Sequence, residues 1–266
     1  MTRYIQKINL IHSIIFFLLA TFISVLFDQN QTLTISPFFC FLLILTVGIS
    51  HGSLDHLKGE KILNIFNINK KSLFYLSYIL ISLFIIFIWT IFPLLMLIIF
   101  LIIASYHFGK EDSEFINGKS NLEFVYFFKG SLVITSPLLF HKTETLNIFN
   151  NLNFDISQSL FISNEFLYVF IAISLFANII ISLKKDIDIK SLLLMDFISI
   201  LLINYFLNPI LAFTIYFCFL HSIRHSFKLS NELNKKNFIK GFKEFLIKAM
   251  PLTILTAILF LISLFF

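Results

Sequence analysis

"NPILAFTIYFCFLHSIRHS", residues 208–226, runs from a helix-breaking Asn-Pro through an unbroken apolar and aromatic stretch and ends in two histidines. Such a run is long enough to cross hydrocarbon as a helix, and ionisable groups at its end are costly enough to need a reason. His221 and His225 are four residues apart. On a helix they are about 40° apart around the axis, so they project from one face within reach of a single ion.

Working outward, the same kind of segment recurs along the chain. Of 266 residues, 58% are hydrophobic and only 13% charged, far from the profile of a soluble domain. Apolar runs at 8–27, 35–50, 72–92, 94–108, 122–140, 166–183, 191–207, 209–226 and 246–266 predict an all-α, polytopic membrane bundle of about nine transmembrane helices in a single integral membrane domain, 1–266. The second and fourth runs are the shortest. Because apolar segments continue to the last residue, the pattern differs from a secretory signal followed by a soluble domain. Cys40 and Cys218 lie inside predicted spans without CxxC spacing and read as packing residues.

The net charge of +5 is a matter of distribution. Arg3 and Lys7, then Lys58, Lys61, Lys70 and Lys71, then Lys110 and Lys119, then Lys184, Lys185 and Lys190, then Lys228, Lys235, Lys236, Lys240 and Lys243 fall in alternate connections, and the others hold only Lys142. Basic loops stay cytoplasmic, so the N-terminus is expected inside, in a multi-pass protein of the cell (inner or plasma) membrane, with no call for nucleic acid. Pro93 and Pro209 suit tight reversals between antiparallel spans. Phe238, Ile239, Phe242, Phe245 and Leu246 recur at helical spacing among lysines and predict an amphipathic stretch on the cytoplasmic surface.

This topology, drawn without using histidine positions, brings five of the seven histidines to one depth. Spans two, four and eight all run inward and end in "HGSLDH" (51–56), "SYHFGKEDSE" (105–114) and "HSIRHS" (221–226). Imidazole binds iron, zinc, copper and nickel, so His51, His107, His221 and His225 are the expected metal ligands. If helix continues past Gly52, Asp55 shares a face with His51 while His56 points elsewhere. Asp55, or the acidic group Glu111, Asp112 and Glu114 beyond His107, could accept the second ring N–H of a ligand and fix its tautomer, with His56 in the same outer shell. Lys129, about two turns into span five, either snorkels to the interface or stands beside the site, and Asp196 is similarly placed in span seven. Arg224, on another face from the histidines, reads as a marker of the membrane boundary. The 37 phenylalanines alone give no reason to expect a substrate tunnel.

Four stretches together, "GISHGSLDH" (48–56), "SYHFGKED" (105–112), "FFKGSLVITSPLLFH" (127–141) and "NPILAFTIYFCFLHSIRHS" (208–226), resemble in order and spacing the Brp/Blh family of membrane-bound beta-carotene 15,15'-dioxygenases. The resemblance covers most of residues 40–230. It implies an Fe(2+) enzyme that cleaves the central double bond of beta-carotene with O2 to give two molecules of retinal, with iron ligands carried over onto His51, His107, His221 and His225. It also implies a lipid-dissolved substrate entering between helices and a retinal-binding rhodopsin as a companion. Lys129 departs from it, standing where the family pattern has Arg. Three other classes compete: a diiron desaturase, which needs about eight histidines; a zinc-dependent intramembrane hydrolase with Asp55 or Glu111 as base; and a metal-cation transporter, which would place its site near the midplane of repeated halves.

Overall fold

In hydrocarbon a chain must satisfy its own backbone N–H and C=O groups, and this one does so with helices. The computed structural model describes residues 2–29, 35–48, 52, 54–68, 71–117, 122–151, 163–183 and 185–264, and no strand occurs among them. The helices are α1 (Thr2–Gln29), α2 (Pro37–Leu43), α3 (Asp55–Ile65), α4 (Lys71–Ile91), α5 (Pro93–Glu111), α6 (Glu114–Asn117), α7 (Glu123–Phe140), α8 (Lys142–Asn151), α9 (Asn164–Ser182), α10 (Ile187–Phe206), α11 (Pro209–Ile215), α12 (Ser222–Leu233) and α13 (Phe238–Ser263). Two wider π turns interrupt them: π1 (Ile44–Gly48) prolongs α2, and π2 (Tyr216–His221) joins α11 to α12.

Among the described residues eight helices are long and apolar enough to cross a bilayer, and α11–π2–α12 counts as one of them. Pro93 and Pro209 open their helices at the first turn, where a missing N–H costs nothing. The expected second span, 35–50, is different. Its helix, Pro37–Gly48, is about 18 Å long, well short of the ~30 Å of hydrocarbon. Ile35 and Pro37 meet Asn208 and Pro209 at one end, Gly48 accepts a hydrogen bond from Ser222 farther along, and Leu54 packs on Leu229 beyond that. The described parts of the segment therefore follow α11–α12 in the same direction as two pieces, α2–π1 and α3, the second beginning at Asp55 within the HGSLDH stretch.

The amphipathic 238–246 stretch is not a separate surface element. It is the start of α13, which runs unbroken to Ser263 and docks on α12: a Cβ added at Gly241 would lie 2.0 Å from the Ser230 carbonyl oxygen, and Phe245 is buried against Leu54 and Leu229. An apolar face repeats with the same period whether it meets lipid headgroups or another helix.

The tightest crossing is that of α5 with α7. A Cβ on Gly109 would fall 1.8 Å from the Tyr126 carbonyl oxygen, and one on Gly130 would fall 1.9 Å from that of Ser105. Where lipid provides little hydrophobic drive between helices, such small residues let backbones touch. This contact fixes α5, which ends at Glu111 with Asp112 as its C-cap.

Candidate metal centre

Two acidic residues at a helix C-terminus oppose the helix dipole, a local cost of roughly 0.3–1 kcal/mol each that calls for compensation. Glu111 and Asp112 receive it from the span bearing the histidines. Asp112, 3% exposed, accepts from His221 Nδ1 at 2.9 Å and from the Tyr216 hydroxyl at 2.7 Å. Glu111 accepts from His225 Nδ1 at 2.8 Å and from Lys228 Nζ at 3.0 Å, while Lys228 also reaches Glu114. Adjacent carboxylates on α5 thus hold imidazoles one turn apart on π2–α12. With a carboxylate as acceptor the proton belongs on Nδ1 of each ring, which leaves the Nε2 lone pair as the ligating atom.

His107, on the same helix as the carboxylates, brings its ring centroid to 5.2 Å from that of His221. Two imidazoles bound to one ion through bonds of about 2.1 Å have centroids roughly 4.5–5.2 Å apart. The centroid separation of this pair falls at the upper edge of that range. His51 lies outside the described residues, as does the side chain of His56, and among the described residues no three His, Cys, Asp or Glu groups close around one point. Imidazoles backed by carboxylates are a donor set of the kind that iron accepts.

The local backbone also departs from a plain helix. Each π turn adds a residue to its helical turn, which rotates everything after it relative to what came before, and such turns often occur at functional sites. The two pack together: a Cβ at Gly48 would meet the Phe217 ring at 2.5 Å, and Ser222 Oγ donates to the Gly48 carbonyl at 3.1 Å. His12, buried on α1, bonds through Nε2 to the carbonyl oxygen of Phe219 inside π2 at 2.8 Å. A carbonyl only accepts, so this nitrogen carries the proton.

Other expected positions come out differently. Asp55 is half-buried in the first turn of α3, and its expected face-sharing with His51 falls outside the described residues. Lys129 is 8% exposed, too deep to snorkel, and lies within the fields of Asp112 and Asp196. Arg224 does not mark a membrane boundary. It is 3% exposed and forks onto Asp196 at 2.5 and 2.9 Å, with Nη2 also donating to Ser13 and the Phe115 ring 5.5 Å from its central carbon. Opposite charges inside apolar spans must pair, a signal that the sequence already held. Tyr216 and Lys228 went unrecognised for want of any pattern. Cys40 and Cys218 are buried free thiols, as their apolar context implies.

Residues 42–266 match the family described as beta-carotene 15,15'-dioxygenase. The chain belongs to that family. Among curated proteins, a beta-carotene 15,15'-dioxygenase from an uncultured marine bacterium, 66A03, is 26% identical over 187 residues, 69% of this chain. The chain covers 66% of that relative's own length. No solved structure matches. The region matched to the dioxygenase family contains all four expected ligands and both carboxylates, whereas α1, with His12 and Ser13, precedes it.

Proposed function

We propose that this protein cleaves the central double bond of beta-carotene with O2, giving two molecules of retinal, at an Fe(2+) held by His51, His107, His221 and His225. The observation that carries this reading is the His107–His221 pair at 5.2 Å with His221 and His225 each backed by a carboxylate of α5, in a chain of the dioxygenase family. In the overall reaction both bonds between the two central carbons break and each carbon gains one atom of O2, so no outside reductant is needed. When bound, the iron supplies the one-electron chemistry that lets O2 react with the polyene.

The chain's own groups orient and exclude. Asp112 and Glu111 keep the Nδ1 protons of His221 and His225 in place, and Tyr216 holds Asp112. Around them Phe108, Tyr216 and Leu220 are buried and keep water from the reacting bond. A neutral histidine set leaves the charge of the site to the metal and to the carboxylates behind it. Glu111, which a hydrolase would need as a base, is engaged by His225 and Lys228. The substrate dissolves in lipid, so it enters sideways from the cell membrane, and the retinal passes to a rhodopsin in the same bilayer.

Expression in cells that accumulate beta-carotene tests the proposal. The orange colour should fade and retinal appear, while His221→Ala and His225→Ala should abolish both and lower the iron content of the purified protein. Colour that persists with well-inserted wild-type protein would overturn it.

A further inference from the structure

The span α11–π2–α12 is the most enclosed of the eight long helices, yet one strip of its surface stays partly open. Ile210, Phe213 and Phe217 are half-buried, whereas Leu211, Ala212, Thr214, Ile215, Tyr216 and Cys218 around them are buried, and the strip ends at His221, which is 0% exposed. Along it the rings form a ladder. Phe213 stacks on Phe217 at 5.3 Å and 12°, and Phe217 stacks on His221 at 5.7 Å and 15°. Phe108 of α5 meets all three rings at steep angles, 4.9 Å from His221 and 6.3 Å from each phenylalanine.

We infer that Phe213 and Phe217 are a rail that seats one arm of the substrate's polyene and sets which double bond stops beside His221, an inference that rests on the dioxygenase reading above. The rungs lie parallel, so the ladder offers ring edges along its open side. Aromatic edges are electropositive and favour a π-electron face, which a conjugated chain has along its whole length and a saturated lipid tail lacks. Gly48 adds the constraint that makes this a measured seat: its missing Cβ is what admits the Phe217 ring, so the rail is pinned to the turn preceding HGSLDH on one side and to Phe108 on the other. Bond selection then depends on the ladder's length, two rungs from the buried imidazole, and Phe213 is the specificity-determining residue farthest from the metal.

The test uses the purified full chain in lipid-containing micelles with beta-carotene, comparing Phe213→Ala, Phe213→Leu and Phe213→Tyr. Phe213→Ala should raise KM about tenfold, leave bound iron unchanged and add unequal aldehyde pairs from neighbouring double bonds as the polyene slips. Phe213→Leu keeps the bulk without the aromatic edge, so it should do the same even if the alanine variant folds poorly. Phe213→Tyr should restore both KM and clean retinal. Retinal alone, at wild-type KM, from the alanine or leucine variant would mean that the strip meets only lipid and would overturn the rail while leaving central cleavage intact. A wild-type protein that yields no aldehyde would overturn the dioxygenase reading and the rail with it.

Discussion

Replacing Gly109 by alanine tests the contact that sets the position of α5. The new Cβ would sit 1.8 Å from the Tyr126 carbonyl oxygen and 2.8 Å from the Gly130 nitrogen, both backbone atoms that cannot rotate away. An ordinary carbon–oxygen contact is about 3.3 Å, so the two helices must part by roughly 1.5 Å. The bonds from α5 to the histidine span measure 2.7, 2.8 and 2.9 Å, and a shift of that size carries them beyond hydrogen-bonding range. Overpacking against backbone belongs at or above the top of the usual range, about 3 kcal/mol, which corresponds to a fall of ~6–12 °C in the melting midpoint. Melting of the purified protein in detergent, followed with retinal formation in carotenoid-producing cells, reads both effects. Two other glycines calibrate the measurement. The nearest atoms to a Cβ at Gly59 belong to the Phe74 ring, at 2.2 Å, a side chain that can swing because α4 is largely exposed, so Gly59→Ala should cost less. At Gly52 the nearest atom is Asp55 Oδ2 at 3.8 Å, and Gly52→Ala should leave melting unchanged. A Gly109→Ala protein that melts with the wild type, no earlier than Gly52→Ala, would refute the reasoning.

Asp112→Asn and Glu111→Gln keep shape but remove the charge that orients His221 and His225, so iron retention and aldehyde formation should each fall about 10–100-fold, measured by metal analysis and product yield. Arg224→Met alone should destabilise by about 3–5 kcal/mol by stranding Asp196, and the double variant with Asp196→Leu should recover much of that loss in a melting experiment. His12→Leu removes the donor to the Phe219 carbonyl and should cost about 1–3 kcal/mol, with His12→Gln recovering part of it.

Much of the site could be read from spacing because its parts are local. His221 and His225 share a face on any helix, and Glu111 and Asp112 follow His107 by one turn, so their candidacy as outer carboxylates needed no coordinates. Arg224 was misjudged for a physical reason: from sequence a buried cation and a boundary cation look alike until the partner, 28 residues earlier in the chain, is found. The 238–246 stretch was misassigned because periodicity reports that an apolar face exists and not what covers it. Hydropathy makes 35–50 read as a full span because it averages over the turn at Ile44–Gly48 where regular α-helix gives way.

By itself the sequence determined that this chain is rich in helices apolar enough to cross hydrocarbon and carries histidines where three apolar segments end, since composition and period act through each residue's own transfer energy and its neighbours a turn away. Only the tertiary structure decided which carboxylate meets which imidazole, that Tyr216 and Arg224 are engaged rather than exposed, and how π2 turns His221 toward His107. Those outcomes depend on helix crossings set by backbone contact at Gly109 and Gly130 and by the Phe217 ring seated on Gly48. A crossing angle is a property of two surfaces together, and no single stretch of residues contains it.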